Sequence, residues 1–266
     1  MASSDIGSAE VPTRPVFGAA GYEVERKRGS QPTLVSDVLE EILAARMAQT
    51  RRTSLDVVDV GAGTGGFAVR LAALGHQVTV LDPSPDALAA ARWRAAELGV
   101  TLTAVQGEAS ELPGLVGEAS ADLVVCHNVL EYVEEPAAAM VGIAAVLRPG
   151  GTVSVLAANV VSAVLQHALA GRYAEARRLL TERPDPTADP GTAAHRRFTL
   201  AELTALIAGA GLRPGVAHGI RIFSGLLPGA GSDPVTAAAL RELETAAAGY
   251  PALRDIAARL HLLGHK

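Results

Sequence analysis

A run of glycines, a few carboxylates and one histidine hold most of the chemistry visible in this chain. The run is VVDVGAGTGG, residues 57–66. Gly61 and Gly63 allow a tight turn and close approach of the backbone to a ligand, and a helix starting just beyond offers free N–H groups and a positive dipole end. Gly61, Gly63 and Gly66 fit G-x-G-x-x-G, the dinucleotide pattern, so a nicotinamide cofactor is one reading. Asp82 closes the next apolar segment, in LDPSP, where a carboxylate can accept hydrogen bonds from ribose hydroxyls. The glycines and Asp82 together therefore point to an adenosyl cofactor; a purely structural turn is the alternative. His127, whose ordinary pKa lies near neutrality, is a candidate general base, or else a structural histidine facing the cofactor. Arg221, in GIRIF (219–223), is a candidate clamp for an anionic acceptor or a surface arginine.

Apolar patterning supplies the frame for these residues. Segments 55–60, 77–81, 101–106, 122–127 and 152–157 read as strands, with helices at 66–74, 85–98 and 135–147. Near-continuous apolar strands alternating with helices argue a parallel sheet covered on both faces. Asp82 then closes the second strand and His127 the fourth. A helical stretch at 33–48 precedes the first strand. Segments 160–170 and 173–181 read as helices of a cap inserted at about 160–198, and the Pro/Asp segment 183–191 cannot be regular structure. Thr199 and Glu202 form a capping box for a helix at 199–209. Residues 216–224 read as a strand, 234–248 as a helix and 258–264 as a last strand. Residues 1–20 read as a flexible leader, and 21–266 as a single domain.

Composition narrows the function classes. At roughly 150 residues per domain, 266 residues make one or two domains. Twenty-three Lys and Arg against 28 Asp and Glu leave −5, so no global basic field marks nucleic acid or an anionic membrane as partner. Hydrophobic residues at 49% exclude wholesale disorder, while aromatics at 3% leave Ala, Val and Leu to build the core. Cys126 is the one cysteine, so there is no intrachain disulfide and no cysteine zinc site; no metal is expected. No apolar run reaches the roughly 20 residues that span a bilayer, and 1–15 lack a secretory apolar segment, so a cytoplasmic location is expected.

Asp59 two residues before Gly61, the Gly61/Gly63/Gly65 spacing, Asp82, Glu108 after the third strand and the LRPGG turn at 147–151 together resemble the class I S-adenosylmethionine-dependent methyltransferases over about 55–158. The resemblance implies an α/β, Rossmann-like, seven-stranded, mostly parallel sheet whose last strands form a reversed hairpin. It implies S-adenosyl-L-methionine as cofactor rather than a redox dinucleotide. Backbone at Gly61, Ala62 and Gly63 would line its methionine and ribose, and Asp82, followed by Pro83, would hold the ribose hydroxyls. Glu108 and the Ala109 amide would contact adenine, and His127 would face the methionine side.

A narrower likeness lies in HNVLEYVEEP (127–136), Asn159, LAGRY (169–173), GIRIF and ALRELET (239–245). These resemble the bacterial tRNA 5-carboxymethoxyuridine methyltransferases, which esterify a wobble-uridine carboxylate. That implies tRNA as acceptor, and a carboxylate needs a cationic clamp rather than a base; Arg221 would be that clamp, on a strand at the substrate end of the sheet. The cap departs from that family's lysine-rich one. Residues 172–197 hold six arginines (172, 177, 178, 183, 196, 197) against Glu175, Glu182, Asp185 and Asp189, a weak phosphate footprint. The family's N-terminal arginine has no clear match; Arg26 or Arg28 could substitute. A small-molecule O- or N-methyltransferase is an equally suitable reading. Methylation of a nucleic-acid base would use Cys126 as nucleophile, but Val125 rather than proline precedes it, and a position inside a strand favours an inert thiol. A cofactor-binding protein without turnover is the non-enzymatic alternative. Glu131, Tyr132, Gln166, His167, Tyr173 and the His195–Arg197 cluster complete the candidates near the acceptor.

Overall fold

The computed structural model describes residues 34–182, 196–227 and 233–266. Its core is a sheet of β1 (Asp56–Val60), β2 (Gln77–Asp82), β3 (Thr103–Gln106), β4 (Ala121–His127), β5 (Leu147–Ala158), β6 (Arg213–Ile220) and β7 (Arg259–His265). The order is β3-β2-β1-β4-β5-β7-β6, with β1 to β5 parallel and β7 antiparallel to both β5 and β6. The parallel part is what the strand–helix alternation implied, and the seven-stranded, mostly parallel α/β whole with its reversed last strands is what the family resemblance implied. Successive strands run outward from β1 to β3, and the chain then returns to place β4 on the other side of β1. At such a switch point the carboxyl ends of the strands diverge and open a crevice.

Both faces are covered, which is why the central strands read as unbroken apolar runs. On one face lie α1 (Leu34–Thr50), α2 (Gly66–Ala73) and α3 (Pro85–Glu97). Leu39, Leu43, Leu71 and Leu88 there pack on Val57, Val80, Leu123 and Val125. On the other face Met140 and Ile143 of α5 (Pro136–Val146) and Leu203 and Ile207 of α8 (Leu200–Gly209) pack on Val58, Val124, Val155 and Leu262. A short 3-10 turn, Ala109–Glu111, and α4 (Leu112–Val116) follow β3. Thr199 accepts the Glu202 amide while Glu202 accepts the Thr199 amide, the reciprocal cap that opens α8.

The segment between β5 and α8 begins with α6 (Val160–Leu169) and α7 (Tyr173–Thr181), and a parallel bridge between Asn159 and Phe198 ties its two ends. Asn159 is the knot. Its Oδ1 caps α6 through the Val161 amide, and its Nδ2 donates to the carbonyls of Asp255 and Ala257.

Three details depart from the apolar pattern. β5 begins at Leu147, so the LRPGG turn belongs to the strand, and β3 begins at Thr103 rather than 101. The expected strand at 216–224 is instead β6, ending at Ile220. Arg221 turns with φ +59, and Phe223–Leu226 coils into the short helix α9. The cause is Glu244 on α10 (Pro234–Ala247), whose carboxylate accepts the amides of Ile222, Phe223 and Ser224 at 2.7, 3.1 and 2.8 Å. A carboxylate holding three successive N–H groups fixes a helical turn where apolar content alone suggested extension. The expected leader at 1–20, Arg26, Arg28, His195 and the 183–191 segment lie outside the described residues. Among the described residues no helix is long and apolar enough to cross a membrane.

Candidate active site

The turn after β1 is built by its glycines. Gly61, Gly63 and Gly65 have φ of +64, +52 and +73, a region that L side chains adopt only at a cost. Space also excludes a side chain. A Cβ on Gly61 would collide with a methyl of Val129, and one on Gly65 would lie 2.7 Å from Cβ of Ala91 on α3. The Gly61 and Ala62 amides donate to the Leu81 carbonyl, so the turn is fastened to the end of β2.

Asp82 completes that fastening. Its Oδ2 accepts the Gly63 amide and its Oδ1 the Ser84 amide, each at 2.9 Å. Each carboxylate oxygen retains a lone pair for a hydroxyl. Pro83 follows, with its carbonyl accepting Gln106 Nε2. Asp59, beneath the turn, is 4% exposed. Burial, then the nearby charge of Asp82, push its carboxyl up to about 7, and the Ala68 amide opposes them. Asp59 is thus the partner of an amide in the first turn of α2, whose N-cap, Gly65, has no side chain to offer.

Glu108 and Ala109 lie past β3 at the start of the 3-10 turn. Glu108 is exposed and its amide donates to Glu111 Oε2, while Ala109 is buried. His127 ends β4. Asn128 then turns with φ +56, which asparagine tolerates, and brings Val129 over Gly61. Asp59, the Gly61–Gly65 turn, Asp82, Pro83, Glu108, Ala109 and His127 therefore share one end of the sheet, at the carboxyl ends of β1 to β4.

His127 is unusual among them. Its ring meets Phe67 edge-on at 5.2 Å, its Nε2 lies 2.8 Å from Ser154 Oγ, and its Nδ1 is buried without a hydrogen bond. Burial pushes its pKa down to about 3, so it is neutral. Beside it, Glu131 Oε1 accepts the Ala158 amide at 2.7 Å and lies 3.7 Å from Arg259, which also bonds Asn128 Oδ1. Glu131 Oε2 is a second buried polar atom without a partner. Burial raises the Glu131 pKa, and Arg259 and Arg197 oppose it.

Other candidates stand elsewhere. Arg221 is exposed, off any strand, and its carbonyl accepts the Ala258 amide. β6 is separated from β4 by β5 and β7, three strand spacings or roughly 14 Å. Arg259, on β7, is the cation nearer to His127. Gln166 bonds the Gly225 carbonyl, and Tyr173 is exposed on the cap. Cys126 is fully buried, and desolvation, then the charges of Glu131 and Asp59, push its thiol up, which makes it inert.

Sequence reading missed Ser154, His261 and His218. The available signal was polarity out of place: Ser154 inside TVSVLA, His261 inside RLHLLGH and His218 inside GVAHGI.

The donor set fits an adenosyl amino acid: a carboxylate with free lone pairs at the end of β2, a helix N-terminus after a left-handed glycine turn, and a small residue, Ala109, beyond β3. Residues 58–155 match a methyltransferase domain. The chain is 32% identical over 142 residues to the tRNA 5-carboxymethoxyuridine methyltransferase of Escherichia coli, covering 51% of this chain and 52% of that one. It is 34% identical over 162 residues to the ubiquinone biosynthesis O-methyltransferase of Xanthomonas euvesicatoria, covering 59% and 62%. The chain thus spans a little over half the length of these curated relatives. Among solved structures, magnesium protoporphyrin IX methyltransferase from Synechocystis with bound SAH shares the fold, with TM-score 0.56, 15% identity and coverage of 93% and 95%.

Proposed function

We propose that this chain, whose residues 58–155 match a methyltransferase domain, binds S-adenosylmethionine and transfers its methyl group to an oxygen of a small-molecule acceptor. Bound S-adenosylmethionine supplies an electrophilic methyl group on a sulfonium centre. The residues of this chain bind, orient and manage the acceptor's proton. Asp82 holds the ribose, the Gly61–Gly65 turn takes the methionine end, and Ala109 with Glu108 borders the adenine.

The observation that carries the reading is the neutral His127 at the end of β4, beside Phe67, whose buried Nδ1 has no hydrogen-bond partner. A neutral imidazole can take a hydroxyl proton on one ring nitrogen while it gives up the proton on the other, so it need not persist as an imidazolium. A lone buried cysteine suits a reducing, cytoplasmic compartment.

Transfer to tRNA is the second reading. Arg172, Arg177 and Arg178 are exposed on the cap and favour it, although Arg178 pairs with Glu182 at 3.5 Å. In that reading Arg221 clamps the acceptor carboxylate. The 32% likeness to an enzyme of tRNA supports it, and the 34% likeness to an O-methyltransferase supports the first.

Methyl-labelled S-adenosylmethionine, incubated with bulk tRNA and separately with a metabolite extract, tests both. Label is expected in the metabolite pool and should vanish with Asp82→Ala. Label confined to tRNA assigns the second reading, and no label in either pool refutes methyl transfer.

A further inference from the structure

His127 is the first member of a hydrogen-bonded row that crosses half of the sheet. Its Nε2 lies 2.8 Å from Ser154 Oγ on β5, and the same oxygen lies 2.8 Å from Nε2 of His261 on β7. His261 Nδ1 in turn lies 3.3 Å from Nδ1 of His218 on β6, with the two rings stacked at 5.5 Å. Strand register explains the alignment. Leu156 of β5 faces both His127 and His261, His261 faces His218, and Ser154 is two residues from Leu156 on the same side of the strand. Ser154 and His261 are fully buried, whereas His218 is half-buried near Glu41 of α1. Four polar side chains from four adjacent strands are costly in a core unless each is satisfied, and here every inner nitrogen and oxygen of the row has a partner.

We propose that Ser154, His261 and His218 form a proton relay that drains His127, and that the acceptor is therefore a hydroxyl, methylated to an ether, rather than a carboxylate. This rests on the methyl-transfer reading above. A carboxylate is already ionised at neutral pH and gives His127 no proton to remove. A hydroxyl must lose one.

The proton count closes. At rest His127 carries its proton on Nε2 and donates to Ser154, Ser154 donates to His261 Nε2, and His261 donates from Nδ1 to His218 Nδ1. The acceptor O–H proton moves to His127 Nδ1, while the electron pair of that bond stays on the oxygen that takes the methyl group. Each hydrogen of the row then shifts one place outward. A proton leaves from His218 Nε2, and every ring ends neutral in its other tautomer. No imidazolium has to persist in the core, which suits the histidines: desolvation lowers all three pKa values, His127 and His218 act further on His261, and Glu41 opposes the shift at His218. His127 is the catalytic residue in this scheme. The other three act through it and are positioning residues.

Two measurements decide it. Label transferred to the metabolite pool is treated with alkali and then with hot hydriodic acid. An ether survives the first and releases methyl iodide in the second. Methanol released by alkali marks an ester, and label resistant to both marks nitrogen or carbon; either overturns the hydroxyl assignment while leaving methyl transfer standing. Absence of label in every pool overturns methyl transfer itself and the relay with it.

Initial rates with the labelled pool are then followed against pH for His218→Phe, which keeps the stacked ring but removes the exit nitrogen, and for Ser154→Ala and Ser154→Thr. His218→Phe and Ser154→Ala should lose about tenfold or more in rate at neutral pH, with S-adenosylhomocysteine affinity unchanged by calorimetry. Their rates should climb with pH where the wild-type rate is flat, and Ser154→Thr should restore the flat profile. Wild-type rate and profile in His218→Phe refute the relay even if Ser154→Ala fails to fold. Nitrogen-15 spectra of the labelled histidines supply an activity-free check. Protons are expected on Nε2 of His127, Nδ1 of His261 and Nε2 of His218, and any other neutral pattern refutes it.

Discussion

Asp59 and His127 sit at the ends of neighbouring strands and are displaced in opposite senses with respect to stability. An unfolded aspartate loses its proton near 3.8, whereas buried Asp59 holds it to about 7. Between those values the folded chain binds a proton that the unfolded chain does not, so this residue lowers stability as pH rises from 4 to 7. The histidines do the reverse. His127, His218 and His261 have folded pKa values below 6.5, so their neutral forms support the fold at neutral pH and that support is lost as pH falls below 6.5. Asp59→Asn can keep the bond to the Ala68 amide without the buried charge. Thermal melts should show the variant more stable at pH 8, by on the order of 2–4 kcal/mol, with the gain gone by about pH 4. Equal melting temperatures at pH 8 would show that Asp59 is already neutral there or is better solvated than its burial suggests.

At the scale of elements, local signals were most reliable where a cap or a glycine turn set the boundary. Thr199 and Glu202 announced α8 because a capping box is written within four residues. In the structure Ser84 and Asn159 cap α3 and α6 with their side chains in the same local way. Thr199→Ala removes one half of the box and should cost about 1 kcal/mol in denaturant midpoint measurements, with cofactor affinity unchanged, since α8 packs on the face of the sheet opposite α2. β6 shows the converse. Its apolar run continues to Phe223, but a carboxylate 21 residues further along the chain, Glu244, ends the strand and starts α9. No window short enough to define a strand contains that partner.

Across the whole molecule the two ends of the sheet divide the work. The carboxyl ends of β1 to β4 carry the candidate cofactor-binding residues. The amino ends are tied by Asp122, whose side chain is 1% exposed and which takes bonds from Arg46, Arg52 and Arg148, with Asp56 sharing Arg52 and Arg148. Burial alone would raise the Asp122 pKa, but the Asp56 amide, Arg46 and the charges of Arg148 and Arg52 together hold it below its ordinary value. The LRPGG start of β5 brings Arg148 to this cluster, so that segment ties the sheet together at the end opposite the candidate site. Asp122→Ala leaves three arginines facing one another and should destabilise the fold by about 3 kcal/mol. Calorimetric affinity for S-adenosylhomocysteine should be unchanged, and a parallel loss of affinity would show that the two ends are coupled.

Residue patterning alone pointed to the parallel sheet, the glycine turn and an adenosyl cofactor, and placed Asp82 and His127 at strand ends, because each depends on neighbours within a strand, a turn or one strand–helix–strand unit. A parallel sheet announces itself through continuous apolar runs, and left-handed turns through glycine. Tertiary structure decided what long-range pairing controls: the end of β6, the exposure of Arg221, the Asn159 tie, and the row that joins His127 to His218. Those depend on the register between strands separated by up to 107 residues, such as Ser154 and His261. Register is fixed by the packing of the whole sheet, which no local spacing encodes.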